Sequence, residues 1–163
     1  MQEKTKKLEE TAKMIGLKIN AKKTKLMYLN TERHPIIFIE GKQLETVDSF
    51  NYLGSCITTE GGAERDIKIR IGKARSAFIR RGNIWKTTAF SNKTKLRLYN
   101  SCVLSVLLYG SECRRMTEKD INRLSSYYNI CLRKIMKIFW PNKISNKDLH
   151  EMTSTKDMET LLI

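Results

Sequence analysis

The hydrophobic pattern has one dominant stretch, residues 93–111, KTKLRLYNSCVLSVLLYGS. Apolar residues recur at Leu96, Tyr99, Val103 and Val106, and again at Leu98, Cys102 and Leu108, in the three- and four-residue steps of a helix. After Cys102 the run is apolar on nearly every side, so it needs neighbours to cover it, yet it is shorter than the roughly 20 residues of a membrane span. The spacing predicts the central helix of a small bundle, capped by Ser91 and ended by Gly110. Two basic amphipathic stretches flank it. Residues 65–86 set Ile67, Ile71, Ala74, Phe78 and Trp85 in a narrow stripe with basic residues on the other sides. A further helix is predicted from Thr117, where Asp120 completes a capping box, to Pro141, with Ile121, Leu124, Tyr128, Cys131, Ile135 and Met136 as its stripe. Beyond Pro141, Ser145 with Asp148, and Thr155 with Asp157 and Glu159, open two short segments. The apolar end Leu161-Leu162-Ile163 reads as a truncated tail.

The first third alternates differently. Residues 3–15 read as a short amphipathic helix with Leu8, Ala12 and Ile15 on one face and Gly16 as the stop. Leu17 and Ile19, then Leu26 and Tyr28, suggest two short strands around a basic turn. Ile36 to Ile39 is a β-branched strand, and Glu40-Gly41-Lys42 a hairpin turn into residues 43–47. Phe50 to Leu53 is another strand, closed by Gly54. The class is therefore α+β: a small helix-and-hairpin piece over residues 1–59, a mainly helical bundle over 60–142, and a short helical tail over 143–163. So few strands need something to pack against.

Charge changes the picture most. The formal net charge is +14, and residues 60–163 carry 21 Lys/Arg against 10 Asp/Glu, whereas residues 1–59 carry 10 against 7. Such an excess on one segment points to a polyanion, most simply nucleic acid. Lys68, Arg70, Lys73, Arg75, Arg80 and Arg81 form the candidate phosphate-binding set, while Ile67, Ile71 and Phe78 hold their helix to the bundle. No helix carries a convincing base-reading set, so backbone-directed binding is expected. The four cysteines, Cys56, Cys102, Cys113 and Cys131, make no CxxC pair and have no nearby histidine, which argues against zinc. Cys102 and Cys131 read as core thiols. The five aspartates are scattered, without the close pair that metal-dependent phosphoryl transfer needs, and neither His34 nor His150 has an evident triad partner. The charged N-terminus lacks the apolar segment of a signal peptide, and an intracellular setting, nucleus or cytoplasm, is expected.

Several motifs together resemble a known family. Gly16-Leu17-Lys18-Ile19-Asn20-Ala21-Lys22-Lys23-Thr24-Lys25, followed by Phe50-Asn51-Tyr52-Leu53-Gly54-Ser55, is similar to the end of the palm of reverse transcriptases from non-LTR (LINE/RTE-type) retrotransposons. KTKLRLYNSCVLSVLLYGSE and CLRKIMKIFW resemble the thumb and connecting region of the same enzymes. The resemblance implies an RNA-directed DNA polymerase fragment: the last palm strands plus a thumb, contacting the template–primer duplex, an RNA–DNA hybrid or duplex DNA. It implies a place for Lys23 near the incoming nucleotide's phosphates, as a proton donor, and for Tyr52, Leu53 and Gly54 at the primer end. The family's metal-binding aspartates lie in upstream motifs that this sequence does not contain. Hence Mg²⁺ is implied only for a complete enzyme, no cofactor is expected in this chain, and the chain alone is expected to be inactive. Arg114 stands where the family usually has a tryptophan. Two alternatives stay open: a stand-alone basic helical nucleic-acid-binding module, and a non-functional product of a degraded element.

Overall fold

The computed structural model describes residues 1–52, 55–59, 61 and 63–162, with Cys113 as backbone alone. The fold is α+β, and the chain divides into two compact units, Met1–Gly61 and Gly62–Ile163.

The first unit starts with α1 (Gln2–Met14), whose apolar side stays open: Leu8 and Ile15 are exposed and α1 buries no residue. Its tie to the rest is the Gln2 side-chain amide, which donates from Nε2 to the Phe38 carbonyl at 3.0 Å and accepts the Phe38 N–H at 2.9 Å. The predicted Glu40-Gly41 turn joins β2 (Phe38–Ile39) to β3 (Lys42–Gln43), with φ of 49° and 73°, the two positive angles a type I′ hairpin requires. That hairpin is shorter than expected. At Leu44 the chain turns inward, and β4 (Glu45–Thr46) leaves to pair in parallel with β1 (Lys25–Leu26). Ile37, Ile39 and Leu44 form a small buried cluster with Ile19, Ala21 and Leu26 against it. Leu17 and Ile19 form no strand. β5 (Ser49–Tyr52) pairs antiparallel with β6 (Ser55–Thr58), a strand the sequence pattern missed.

The second unit is helical. α2 (Glu64–Arg80) buries Ile67, Ala74 and Phe78 as expected, but the helix predicted to reach Lys86 breaks at Arg81, and Trp85 belongs to the short α3 (Gly82–Lys86). The break folds Trp85 back, so that its indole N–H donates to the Phe78 carbonyl at 2.8 Å. The 93–111 stretch is α4 (Asn92–Tyr99), a π-helical turn (Asn100–Leu104) and α5 (Ser105–Leu108), with Ser91 accepting from the Thr94 N–H as its cap and Gly110 at φ 72° after its end. Tyr99, Val103 and Leu107 are buried, while Cys102, Val106 and Leu108 are only half-buried, so one side is less covered than its composition implied. The central rod is instead α6 (Glu118–Met136), which packs against α2, α3, α4, α7 and α8. Its Thr117/Asp120 capping box is present. It ends at Lys137 (φ 57°), four residues before Pro141. Its buried face is wider than the predicted stripe, adding Tyr127, Asn129 and Leu132, because neighbours cover it from several sides. α7 (Asn146–Thr153) is capped by Ser145 as predicted, whereas α8 (Met158–Leu162) takes its cap from Asp157, not Thr155. Both pack on α6 and bury Leu149 and Met158, so α7 and α8 belong to the helical core. Ile163 lies outside the described residues.

Two features bind these helices. An aromatic ladder runs from Trp85 to Phe78 (5.1 Å between ring centroids), Tyr99 (6.2 Å), Tyr128 (6.0 Å) and His150 (5.7 Å), crossing α3, α2, α4, α6 and α7. The second is ionic. Arg114 reaches from the segment after α5 to Asp66 on α2, Nε to Oδ2 at 2.6 Å, both side chains almost fully buried, and also donates to the Tyr109 carbonyl. Arg70 lies 3.9 Å from the same carboxylate and 4.6 Å above the Tyr109 ring.

Arg114→Met strands the Asp66 carboxylate in the interior. It should cost about 3 kcal/mol, at the lower end for a broken buried pair because Arg70 remains, and Asp66→Asn with Arg114→Met should recover part of the loss in urea unfolding. Burial pushes the His150 imidazole below its usual 6.5, with Asp157 opposing and Arg133 reinforcing the shift. The unfolded chain therefore takes up that proton first, and stability should fall as pH drops below about 6.5. Urea midpoints at pH 7.5 and 5.5 check this; His150→Phe should flatten the difference.

Candidate nucleic-acid interface

The predicted cations do not all share one face, because α2 packs by one side only. Lys73, Arg75 and Arg80 are exposed, and none of them forms an ion pair among the described residues. Lys68 is exposed but holds Glu64 one turn back at 3.0 Å. Arg81 is half-buried and turns back to the Ala77 carbonyl at 2.9 Å. Arg70 is a correction. It is 4% exposed, committed to Asp66 and Tyr109, and cannot meet a phosphate backbone, because helical spacing puts it on the Ile67–Ala74 side.

What sequence reasoning missed is the second wall. A groove of about 460 Å³ lies between α2 and α6, with Ile71 and Arg75 from α2 and Lys119, Arg123, Tyr127 and Ile130 from α6. Its apolar residues include the half-exposed Ile130. Asn122 and Ser126 add polar groups along the α6 side. Lys119, Asn122, Arg123, Ser126 and Ile130 follow i, i+3, i+4, i+7 and i+11 steps, so a helical wheel of α6 could have found them.

The groove is electrostatically gated at one end. Arg123 binds Glu64 at 2.8 Å and stands 3.9 Å from Asp120. Hydrogen bonds from Lys68 and then Arg123 hold the Glu64 carboxyl at about 2, well below its usual 4.5. Arg123 thus lends part of its charge to Glu64, while Arg75 and Lys119 line the groove and form no ion pair among the described residues. The Tyr99 and Tyr127 phenols lie against the Cys131 thiol, and burial pushes all three above their ordinary values. Cys131 is a buried core thiol.

Lys95 is a cation of a different kind. It is buried at 2% exposure and donates to the carbonyls of Trp85 at 3.3 Å and Thr87 at 2.6 Å, closing the C-terminal end of α3.

In the first unit, Lys23 is exposed in a turn built by Asn20, whose side chain and carbonyl accept the Lys23 N–H, both at 3.1 Å. Tyr52 is exposed at the end of β5, opposite Ser55. Leu53 and Gly54 lie outside the described residues. No group of three or more possible metal ligands occurs, and no helix is long and apolar enough to cross a membrane, among the described residues.

Because the native Glu64 stays ionised far below pH 4.5, its contribution to stability is present above that value and lost as pH falls toward 2. Glu64→Gln should flatten that part of the acid-unfolding curve, read by circular dichroism, by lowering stability modestly at pH 7 while leaving it nearly unchanged near pH 2.

Compared with known proteins, residues 77–109 match a domain of unknown function, DUF6451. The matched segment covers the end of α2, α3, α4, the π-helical turn and α5, which is the side of the bundle that carries three rungs of the aromatic ladder. No curated protein and no solved structure matches the chain.

Proposed function

We propose that the helical unit binds the sugar-phosphate backbone of a nucleic-acid duplex in the groove between α2 and α6. The observation that carries this reading is the convergence of Arg75 from one helix with Lys119 and Arg123 from another over a partly apolar surface. Cations on two walls can engage phosphates while Ile71 and Ile130 meet sugar edges. Lys73 and Arg80, exposed on the same α2, extend the positive field beyond the groove. The +11 excess of residues 60–163 supports a polyanion partner, because the free groove otherwise stores self-repulsion.

The resemblance to non-LTR reverse transcriptases gives this binding a context: a thumb-like element beside the last strands of a palm, holding an RNA–DNA hybrid or a DNA duplex. In that context Lys23 and Tyr52 belong to the palm side. The chain has no close aspartate pair, so its own contribution is to hold nucleic acid, and nucleotide transfer would fall to residues it does not carry. The buried Asp66–Arg114 pair gives Arg114, which stands where that family usually has a tryptophan, a structural purpose.

The test is a salt titration of the whole chain with a 20-base-pair RNA–DNA hybrid and the matching DNA duplex. Affinity should fall steeply with salt, and Arg75→Ala with Lys119→Ala should shallow the log–log slope by about 2. Arg70→Lys should leave the slope unchanged. A slope that the groove variant does not move would remove the reading.

A further inference from the structure

A second cavity, of about 720 Å³, opens on the other side of α6, between that helix and the α7–α8 pair. Its volume falls in the range of small-molecule sites, roughly 300–1,000 Å³. Three of its lining residues, Asn122, Ser125 and Asn129, stand three and four positions apart on α6 and so form one stripe of amide, hydroxyl and amide. Asn129 is the informative one. It is 4% exposed, and its buried Oδ1 has no hydrogen-bond partner among the described residues. A buried amide normally finds one, and the cavity that Asn129 lines is the side from which a ligand group or a water can reach this oxygen.

His150 lines the same cavity and is the last rung of the aromatic ladder, stacked on Tyr128 with an interplanar angle of 21°. Its Nδ1 is 3.0 Å from the Thr155 hydroxyl, which also meets Thr153 at 2.8 Å. The ring is therefore held in one orientation by a stack and a hydrogen bond. The rim carries both signs, Lys147 and Lys156 against Asp157 and Glu159, so charge alone selects no ligand there. What the cavity offers is an aromatic ring edge-held on a wall shared with the buried Asn129 amide, which is the chemistry that recognises a flat heterocycle with donors and acceptors on its edge.

We propose that this cavity is a pocket for a single unstacked nucleobase, with Asn129 bonding its edge, Asn122 standing two turns away at the mouth, and the base adding a rung to the ladder at His150. Asn122 lines both this pocket and the cationic groove, so a strand whose phosphates lie along Arg75, Lys119 and Arg123 can turn one base over α6 into it. The pocket rests on the groove reading only for the source of that base; a free nucleotide tests it alone.

The experiment is a side-chain amide NMR titration of the whole chain with AMP, GMP, CMP and UMP, with ribose 5-phosphate as the control. At least one nucleotide should shift the Asn129 and Asn122 amides saturably, with at least tenfold weaker response to ribose 5-phosphate. Asn129→Leu should abolish the shift at Asn122 while duplex binding at the groove persists. Ser125→Leu, which fills the cavity from a half-buried position, is the second block should Asn129→Leu fail to fold. No shift with any nucleotide, an equal response to ribose 5-phosphate, or an undiminished response in the filled variant overturns the pocket. Nucleotide shifts that persist in a chain that binds no duplex would support the pocket and remove the groove.

Discussion

The helical unit depends on rings packed against rings. Trp85, Phe78, Tyr99, Tyr128 and His150 each come from a different helix, and each meets the next at a centroid distance between 5.1 and 6.2 Å. Aromatic contacts of this geometry add about 0.5–1.5 kcal/mol each beyond the area they bury. Their larger effect is on position. A flat ring tolerates only a few arrangements against its neighbour, so the ladder fixes how α2, α3, α4, α6 and α7 sit about one another. The helix break at Arg81 serves the same end, since an unbroken helix would carry Trp85 away from Phe78.

Around that apolar spine the unit places its charges by function. Asp66, Arg70 and Arg114 are buried near the start of α2, with Lys95 buried at the end of α3. These fasten the segments that the ladder leaves loose: the chain after α5, and the carbonyls that end α3. Buried ions add little net stability over an apolar replacement, but each punishes any arrangement that separates it from its partner. Of the other cations, Lys73, Arg75 and Arg80 lie exposed on α2, while Lys68 and Arg123 share Glu64. A net charge alone would have counted all of them equally.

α6 connects the two candidate sites. One of its sides supplies Lys119 and Arg123 to the cationic groove, another supplies Ser125 and Asn129 to the amide-lined cavity, and Asn122 stands between them. A single rigid helix with a capping box at its start can hold both sets in register, because its rise and rotation per residue are fixed. The buried rungs between them give the helix no freedom to roll.

The pattern of residues determined the element types and several of their ends. Ser91, Thr117 with Asp120, Ser145 and the Glu40-Gly41 turn act through neighbours within a few positions, so their geometry is local and readable. The same locality explains the α+β class and the cores of α2 and α6. What only the tertiary structure decided were matters of distant partners. Arg70 and Arg75 look alike on paper, yet one is buried against Asp66 and the other lines a groove, because α2 is covered on one side alone. β4 left its expected hairpin to join β1, and α6 rather than the greasiest stretch became the hub, since each choice is settled by burial summed over the whole unit. Asn129 reads as an ordinary surface amide until α7 and α8 close over it, and its missing hydrogen bond exists only in three dimensions.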